Sequence, residues 1–239
     1  MKAIQTLLLY LSSSIDSSTL RQLTIVCTSM LSMTGRVTML GISRWAGKGG
    51  SYRTIQRFFQ KTICWEKLNW ITAQKQINKM DVVIFAGDAT TITKSGKCTS
   101  GIGRFFSSIY SKTVKGLSFQ CISLINVTTK SSWPLLVEQI LPKEKCETNK
   151  TKDKAVVKRG KGRPKGSKNK NKAVVELKAE MIQLKGMISK IKALISNVVA
   201  PVYFVYDGAL GNNAGAQMAI QSGLHLISKL KYNSALFLP

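Results

Sequence analysis

Two short apolar runs that each end in an aspartate constrain the fold of this chain more than any other feature. Residues 82–87 (VVIFAG) lead into Asp88, and residues 202–206 (VYFVY) lead into Asp207. Short runs rich in β-branched and aromatic side chains are typical of buried strands. Acidic residues are scarce, at 11 against 36 Lys and Arg, so the position of two of them at the ends of predicted strands indicates a specific role. The pattern predicts a sheet edge that carries two carboxylates.

The charge balance indicates the class of partner. The 239 residues have a formal net charge of +25 and are 44% hydrophobic, which is enough apolar content for a sizeable core. A strongly basic protein attracts polyanions, of which nucleic acid is the obvious one. The five cysteines are scattered and the single histidine, His225, lies far from all of them, so a zinc site is not expected. Without an apolar run of about 18–20 residues no membrane partner is expected, and we predict a cytoplasmic, nucleoid-associated protein.

Residues 1–80 are predicted to form a helical DNA-binding domain. Within it, a short helix over residues 39–46 and a second over 51–59 flank a glycine-rich turn, which is the order of a helix-turn-helix unit. Arg53 and Arg57 are four residues apart on the second helix and therefore share a face that can meet DNA. The alternative is a plain helical bundle with solvated arginines. We also expect Ser17 or Ser18 to cap an earlier helix, and Ile55, Phe58 and Phe59 to face inward.

Residues 81–239 are predicted to form a second, α/β domain. Strands are expected at residues 81–88, 102–110, 117–127, 202–207 and 225–230, with a helix that begins at Asn212 or Asn213 between the last two. The first three strands are joined by short links, which favours an antiparallel meander. A helix is predicted over residues 173–197, because its apolar positions alternate three and four apart. That helix either packs on the sheet or pairs with a second subunit, which would make a homodimer.

A basic segment interrupts this domain at residues 143–172. Lys and Arg occupy 13 of its 30 positions, so it is expected to be a flexible insertion. Its residues 159–168 (RGKGRPKGSK) resemble an AT-hook, in which an extended backbone enters the narrow minor groove of A·T-rich DNA. The residues expected to bind there are Lys161, Arg163, Pro164 and Lys165. The alternative is a generic basic linker held by phosphate charge alone.

The order of these elements is similar to that of the ribonuclease H-like fold. In that fold the first and fourth strands are neighbours, so Asp88 and Asp207 would face each other and bind Mg2+ or Mn2+ through oxygen. Two such metal ions activate the attacking oxygen and stabilise the leaving oxygen in phosphodiester displacement. The plainer alternatives are that Asp88 orients Thr90 or Thr91, and that Asp207 caps the turn that follows it.

Three motifs resemble bacterial insertion-sequence transposases of the DDE type. They are residues 87–97 (GDATTITKSGK), residues 115–120 (KGLSFQ) and residues 206–213 (YDGALGNN). The resemblance covers about residues 30–239. It implies a DNA transposase that binds element-end DNA and performs metal-dependent cleavage and strand transfer, with Asp88 and Asp207 as catalytic metal ligands.

The sequence departs from this family in one respect. The family's third acid is a glutamate on a helix after the last strand, and no Asp or Glu follows Asp207. We therefore expect a chain cut before the catalytic helix, which binds DNA but is inactive alone. The alternatives are a non-catalytic DNA-binding protein, such as a remnant or a regulator of transposition, and another ribonuclease H-like nuclease, such as a resolvase.

Overall fold

The computed structural model describes residues 2–96, 98–142 and 175–230. Five helices come first, followed by a six-stranded sheet with two more helices. The elements are α1 (Lys2–Leu9), α2 (Ser17–Ser32), α3 (Met39–Trp45), α4 (Tyr52–Phe59), α5 (Trp65–Gln74), β1 (Val83–Thr93), β2 (Gly103–Ser107), β3 (Lys112–Asn126), β4 (Ser131–Ile140), α6 (Ala179–Ile195), β5 (Tyr203–Tyr206), α7 (Asn213–Gln221) and β6 (His225–Ser228). Among the described helices, none is long and apolar enough to cross a membrane.

Side-chain caps fix where the amino-terminal helices begin. Asp16 caps α2, because its carboxylate accepts a hydrogen bond from the backbone N–H of Thr19 at 2.8 Å. The prediction that Ser17 or Ser18 caps this helix was wrong. Aspartate is an equally strong cap, and its negative charge is stabilised at the positive end of the helix. Ser51 caps α4 in the same way, through Thr54 N–H.

The α3–turn–α4 segment has the helix lengths that the sequence indicates. Ile55 and Phe58 of α4 are buried in one cluster with residues of α1, α2 and α3. Phe59, however, is 48% exposed, so the prediction that it faces inward was wrong. It lies one residue beyond the buried Phe58, which turns it about 100° around the helix.

Helix α5 contacts both the helical cluster and the sheet. Its Leu68 packs among the amino-terminal helices, whereas Trp70 and Ala73 belong to the core beneath the sheet. Asn69 strengthens this junction by donating to the carbonyl of Leu135 in β4 at 3.1 Å. The amino-terminal helices are thus anchored to the sheet through one shared helix.

The sheet has the strand order β2-β3-β1-β5-β6, and β4 also pairs with β3. Strand β3 runs antiparallel to β1, β2 and β4, whereas β5 runs parallel to β1 and β6 parallel to β5. An antiparallel group that continues into parallel strands linked by helices is the ribonuclease H-like arrangement. The prediction of this fold, and of the first and fourth predicted strands as neighbours, is confirmed.

Three features of the sheet differ from the sequence-based expectation. β1 pairs with β3 rather than β2, because the alternating apolar positions of β1 match those of β3, so the strands do not form a simple meander. β1 also continues through Asp88 to Thr93 instead of ending at the aspartate. Strand β4 was not predicted at all. It contains Pro134, which argues against a strand in sequence, but Pro134 lies at a register shift where the missing N–H is tolerated.

Helix α6 packs on the sheet, which was one of the two alternatives predicted for it. Its buried side chains are Leu184, Met187, Ile188, Ile191 and Ile195, and all of them join the core with Phe85 and Phe204 of the sheet. It begins at Ala179, six residues later than predicted, since residues 175–178 are not helical and residues 173–174 lie outside the described part of the chain.

The sheet therefore has two different faces. Directly opposite residues on paired strands share a face. The covered face, which lies under α6, carries Phe85, Ile122, Leu124, Phe204 and Tyr206, all buried. We call the other side the open face. It carries Ala86, Asp88 and Thr90 of β1 with their β3 partners Ser123, Cys121 and Phe119, none of which is fully buried.

Candidate active site

Asp88 lies within β1, and Asp207 follows directly after the neighbouring parallel strand β5. Gly87 of β1 is in register with Tyr206, the last residue of β5, and an aspartate follows each of the two. Adjacent strands lie about 4.8 Å apart, which brings the two carboxylates within reach of one ion or ion pair. Both side chains are exposed. The fold thus joins residues that are more than a hundred positions apart in the sequence.

A glycine beside Asp88 makes room for an aromatic ring. A Cβ atom on Gly87 would lie 2.7 Å from Cδ2 of Tyr206 and 2.8 Å from Cζ of Phe204, far inside normal carbon contact. The two rings therefore pack directly over the Gly87 backbone on the covered face, while Asp88 points to the open face. In the sequence, Gly87 is only the first residue of the motif at residues 87–97, and nothing in that motif indicates this packing role.

Each carboxylate has one oxygen engaged by the backbone that follows it. Oδ1 of Asp88 accepts a hydrogen bond from Ala89 N–H at 2.8 Å, and Oδ1 of Asp207 accepts one from Ala209 N–H at 3.1 Å. Oδ2 of neither receives a hydrogen bond from another described residue. The alternative in which Asp88 orients Thr90 or Thr91 is not what the structure shows. The turn-capping bond of Asp207 is present, but it uses one oxygen and leaves the other available.

The turn after β5 is held in place by the next strand. The Ser228 hydroxyl in β6 donates to the carbonyl of Asp207 at 2.6 Å. Gly211 lies so close to β6 that a Cβ there would be 2.1 Å from the carbonyl oxygen of Lys229. Asn212 then caps α7, as predicted, by accepting from Gly215 N–H at 3.0 Å. Asp207 is therefore positioned by a rigid turn, and Ser228 is a supporting residue that the sequence did not reveal.

Negative charge converges at this end of the sheet. Burial raises the pKa of Tyr206, and the charges of Asp207, Asp88 and Glu180 raise it further, against the opposing effect of its hydrogen bond with Gln120. Tyr206 therefore stays neutral, and its ring remains a packing element beneath the two aspartates.

The other predicted site residues lie elsewhere or outside the described residues. Arg53 and Arg57 are exposed on α4, which packs against α2 and α3. The hook residues, Lys161, Arg163, Pro164 and Lys165, fall outside the described residues. Within the described residues, no three His, Cys, Asp or Glu side chains come together in a group that could hold a metal ion. The two aspartates are a pair and not a complete triad.

The sheet topology places the protein in the ribonuclease H-like class. Comparison with protein families gives a more specific assignment, because the DDE superfamily endonuclease family matches residues 10–239. The chain belongs to this family, which confirms the resemblance to a DDE-type transposase. The family acts on DNA and uses divalent metal ions such as Mg2+. No protein with a curated description matches the sequence.

Proposed function

We propose that this protein is a DNA transposase that binds element-end DNA, with Asp88 and Asp207 as the metal-binding residues of its catalytic site. The observation that carries the proposal is the register of β1 and β5, which sets Asp88 of β1 beside Asp207, the residue that follows the end of β5. Family membership supports phosphodiester chemistry at this position.

The two carboxylates suit a hard divalent cation. Each has an Oδ2 atom without a hydrogen bond from the described residues, and carboxylate oxygen is the ligand that Mg2+ and Mn2+ prefer. When bound, such ions activate the attacking oxygen and stabilise the leaving oxygen. The protein's contribution is placement, since Gly87, Tyr206 and Ser228 fix the backbone on both sides of the pair.

DNA contact is proposed to extend beyond the aspartates. Arg53 and Arg57 on α4 are exposed cations one turn apart, which suits contact with phosphates. The hook residues are proposed to bind the minor groove of A·T-rich DNA, with Arg163 inserted between Lys161 and Lys165. Both contacts raise affinity without taking part in bond cleavage.

We further propose that the 239 residues cleave DNA poorly by themselves. Two carboxylates supply fewer anionic oxygens than a two-metal site with a third acid, and the sequence has no Asp or Glu after Asp207. Metal binding is therefore a sharper test of the site than cleavage.

The test measures stabilisation by Mn2+ in thermal unfolding of the full chain. A ligand at a hundred times its dissociation constant stabilises the folded state by about 2.7 kcal/mol. We expect the wild-type melting temperature to rise with Mn2+, and Asp88→Asn or Asp207→Asn to reduce that rise strongly. Asparagine keeps the shape of the side chain and an oxygen for the Ala89 or Ala209 N–H, so the fold is preserved.

Glu138→Gln is the matched control, because Glu138 lies in the same sheet and pairs instead with Lys190 at 2.7 Å. It should leave the Mn2+ response intact. If the aspartate variants respond to Mn2+ like wild type, the metal is not held by this pair and the catalytic assignment is wrong. Nicking of supercoiled DNA with Mg2+, measured in parallel, then separates a weak nuclease from a protein that only binds DNA.

A further inference from the structure

The strand that carries Asp88 continues well past it. β1 runs on for five residues to Thr93, and the N–H of Lys94 donates to the carbonyl of Lys115 at 3.1 Å, which extends the pairing with β3. On its other edge, β3 pairs with β2 from Gly103 to Ser107, through its own residues 112–116. The end of β1 and the β2–β3 hairpin thus continue the sheet beyond the aspartate pair.

The open face of this extension is cationic. Asp88, Thr90 and Ile92 alternate onto the open face of β1, and Ile92 is opposite Leu117 of β3. Lys115 lies two residues before Leu117 on the same face of β3. It is directly opposite Arg104 of β2. Lys115, Arg104 and Lys94 are all exposed. We call these three residues the cationic track.

The cationic track has no neutralising partner in the described structure. Like charges directly opposite each other on paired strands are destabilising, yet Arg104 and Lys115 occupy such a pair. The sequence contains no Asp or Glu between Asp88 and Glu138, and no described acid forms an ion pair with the track. A repulsive pair that nothing in the described fold offsets indicates an anionic ligand outside the described residues.

An aromatic side chain completes the surface. Phe106 is two residues from Arg104 on the same face of β2 and is 67% exposed. Exposed aromatic rings beside cations are the combination that nucleic-acid surfaces use, since the cation binds phosphate and the ring contacts sugars or bases. Helices α6 and α7 lie on the covered side, so they leave this surface open.

The distance from the aspartates to the cationic track fits a DNA duplex that lies along this surface. Six residues of strand from Asp88 to Lys94 span about 20 Å at about 3.4 Å per residue. Phosphates of one DNA strand advance about 3.4 Å per nucleotide along the duplex axis, so the cationic track lies about six base pairs along a duplex from the reacting phosphate.

We infer that the cationic track of Lys94, Arg104 and Lys115 holds the DNA backbone at a point about six base pairs along the duplex from the cleaved phosphate. The inference rests on the proposed function, because it takes Asp88 and Asp207 as the reacting end of the surface. It adds to that function a positioning surface that lies outside the helical domain and outside the hook.

The test compares two double variants of the full chain in binding to a labelled duplex of about three helical turns (about 10.5 base pairs each). Arg104→Gln with Lys115→Gln removes the repulsive pair. Lys79→Gln with Lys130→Gln is the matched control, since it removes the same charge from exposed positions near the opposite end of β1 and β3. Affinity is measured by fluorescence anisotropy across a salt series. Melting temperature and the Mn2+ response are recorded for both proteins.

Loss of two phosphate contacts should reduce the slope of log affinity against log salt by about 1.8, at about 0.9 per contact. We expect this reduction in the Arg104/Lys115 variant and a smaller one in the control. The melting temperature of the Arg104/Lys115 variant should be unchanged or higher, because a repulsion is removed, and its Mn2+ response should persist.

Equal slopes in the two double variants would show that only overall charge matters. That result would overturn the inference that the cationic track holds DNA, and would leave the proposal for the aspartate site standing. Failure of the wild-type chain to bind duplex at all would instead overturn the proposed function, and the track with it. A lost Mn2+ response in the Arg104/Lys115 variant would place these residues in the metal site, which also contradicts a separate positioning surface.

Discussion

Replacing Gly87 with alanine tests the packing that sets the two aspartates side by side. The added Cβ would meet three ring atoms of Tyr206 and Phe204 at 2.7–2.9 Å. Carbon atoms prefer about 3.5–4.0 Å, so the rings or the strands must separate by about 0.8 Å. Phe204 is fully buried and Tyr206 is 7% exposed, so neither ring can move freely into solvent.

The expected cost follows from these contacts. Overpacking a core costs about 1–3 kcal/mol, and alanine recovers about 0.5–1 kcal/mol relative to glycine through its smaller loss of backbone entropy. We expect Gly87→Ala to destabilise the fold by about 1–2 kcal/mol, which lowers the melting temperature by about 2–8 °C in a chain of this size. Urea unfolding gives the free energy directly. The Mn2+ response should also fall, because Tyr206 precedes Asp207.

Two variants sharpen this test. Gly186→Ala is the matched control, since Gly186 lies on the exposed side of α6 with nothing within 4 Å of its Cβ position, and it should stabilise the protein by about 0.5–1 kcal/mol. In a Tyr206→Leu background, two of the three clashing atoms are gone, and the cost of Gly87→Ala should shrink. A Gly87→Ala protein as stable as wild type, or a cost unaltered by Leu at position 206, would refute the close-packing explanation.

Two further predictions concern other parts of the chain. Hydrogen bonds from the Thr19 side chain and backbone lower the pKa of Asp16 below its usual value of about 3.9, so this carboxylate stabilises the fold above that pH and loses its contribution as the pH falls through its folded-state pKa. The acid side of a plot of melting temperature against pH should therefore be shallower for Asp16→Asn, and an unchanged slope would contradict the role of the cap. In the hook, Arg163→Ala should reduce the preference for A·T-rich over G·C-rich duplex at least about fivefold, since one specific contact is worth about 1–3 kcal/mol. The control Lys158→Ala removes one charge from the same segment, and an equal effect from both would favour the generic basic linker.

Much of the local structure could be predicted from the sequence. The helices α3 and α4, the strand before Asp207 and the Asn212 cap follow from apolar periodicity and capping chemistry, which depend only on neighbouring residues. The order of elements was enough to indicate the ribonuclease H-like fold and, through it, the pairing of Asp88 with Asp207.

Local signals failed where a distant partner decides the outcome. Strand β4 contains Pro134, and only its position at a register shift opposite β3 makes the proline compatible with a strand. β1 extends past Asp88 because residues 89–93 find partners in β3. Such pairings cannot be predicted from one segment of sequence, since the hydrogen bonds and side-chain contacts that stabilise them involve residues of the other strand.

The sequence by itself determined most helices and strands of this protein, its basic character and the two aspartates to which we assign its chemistry. The tertiary structure decided how those aspartates are supported. Only the register of β1 and β5 brings the rings of Phe204 and Tyr206 over Gly87, and only the β2–β3 pairing sets Arg104 opposite Lys115 on the face that carries Asp88. The physical reason is that strand pairing creates neighbours between residues far apart in the chain, and the energy of those contacts depends on a register that no single segment encodes.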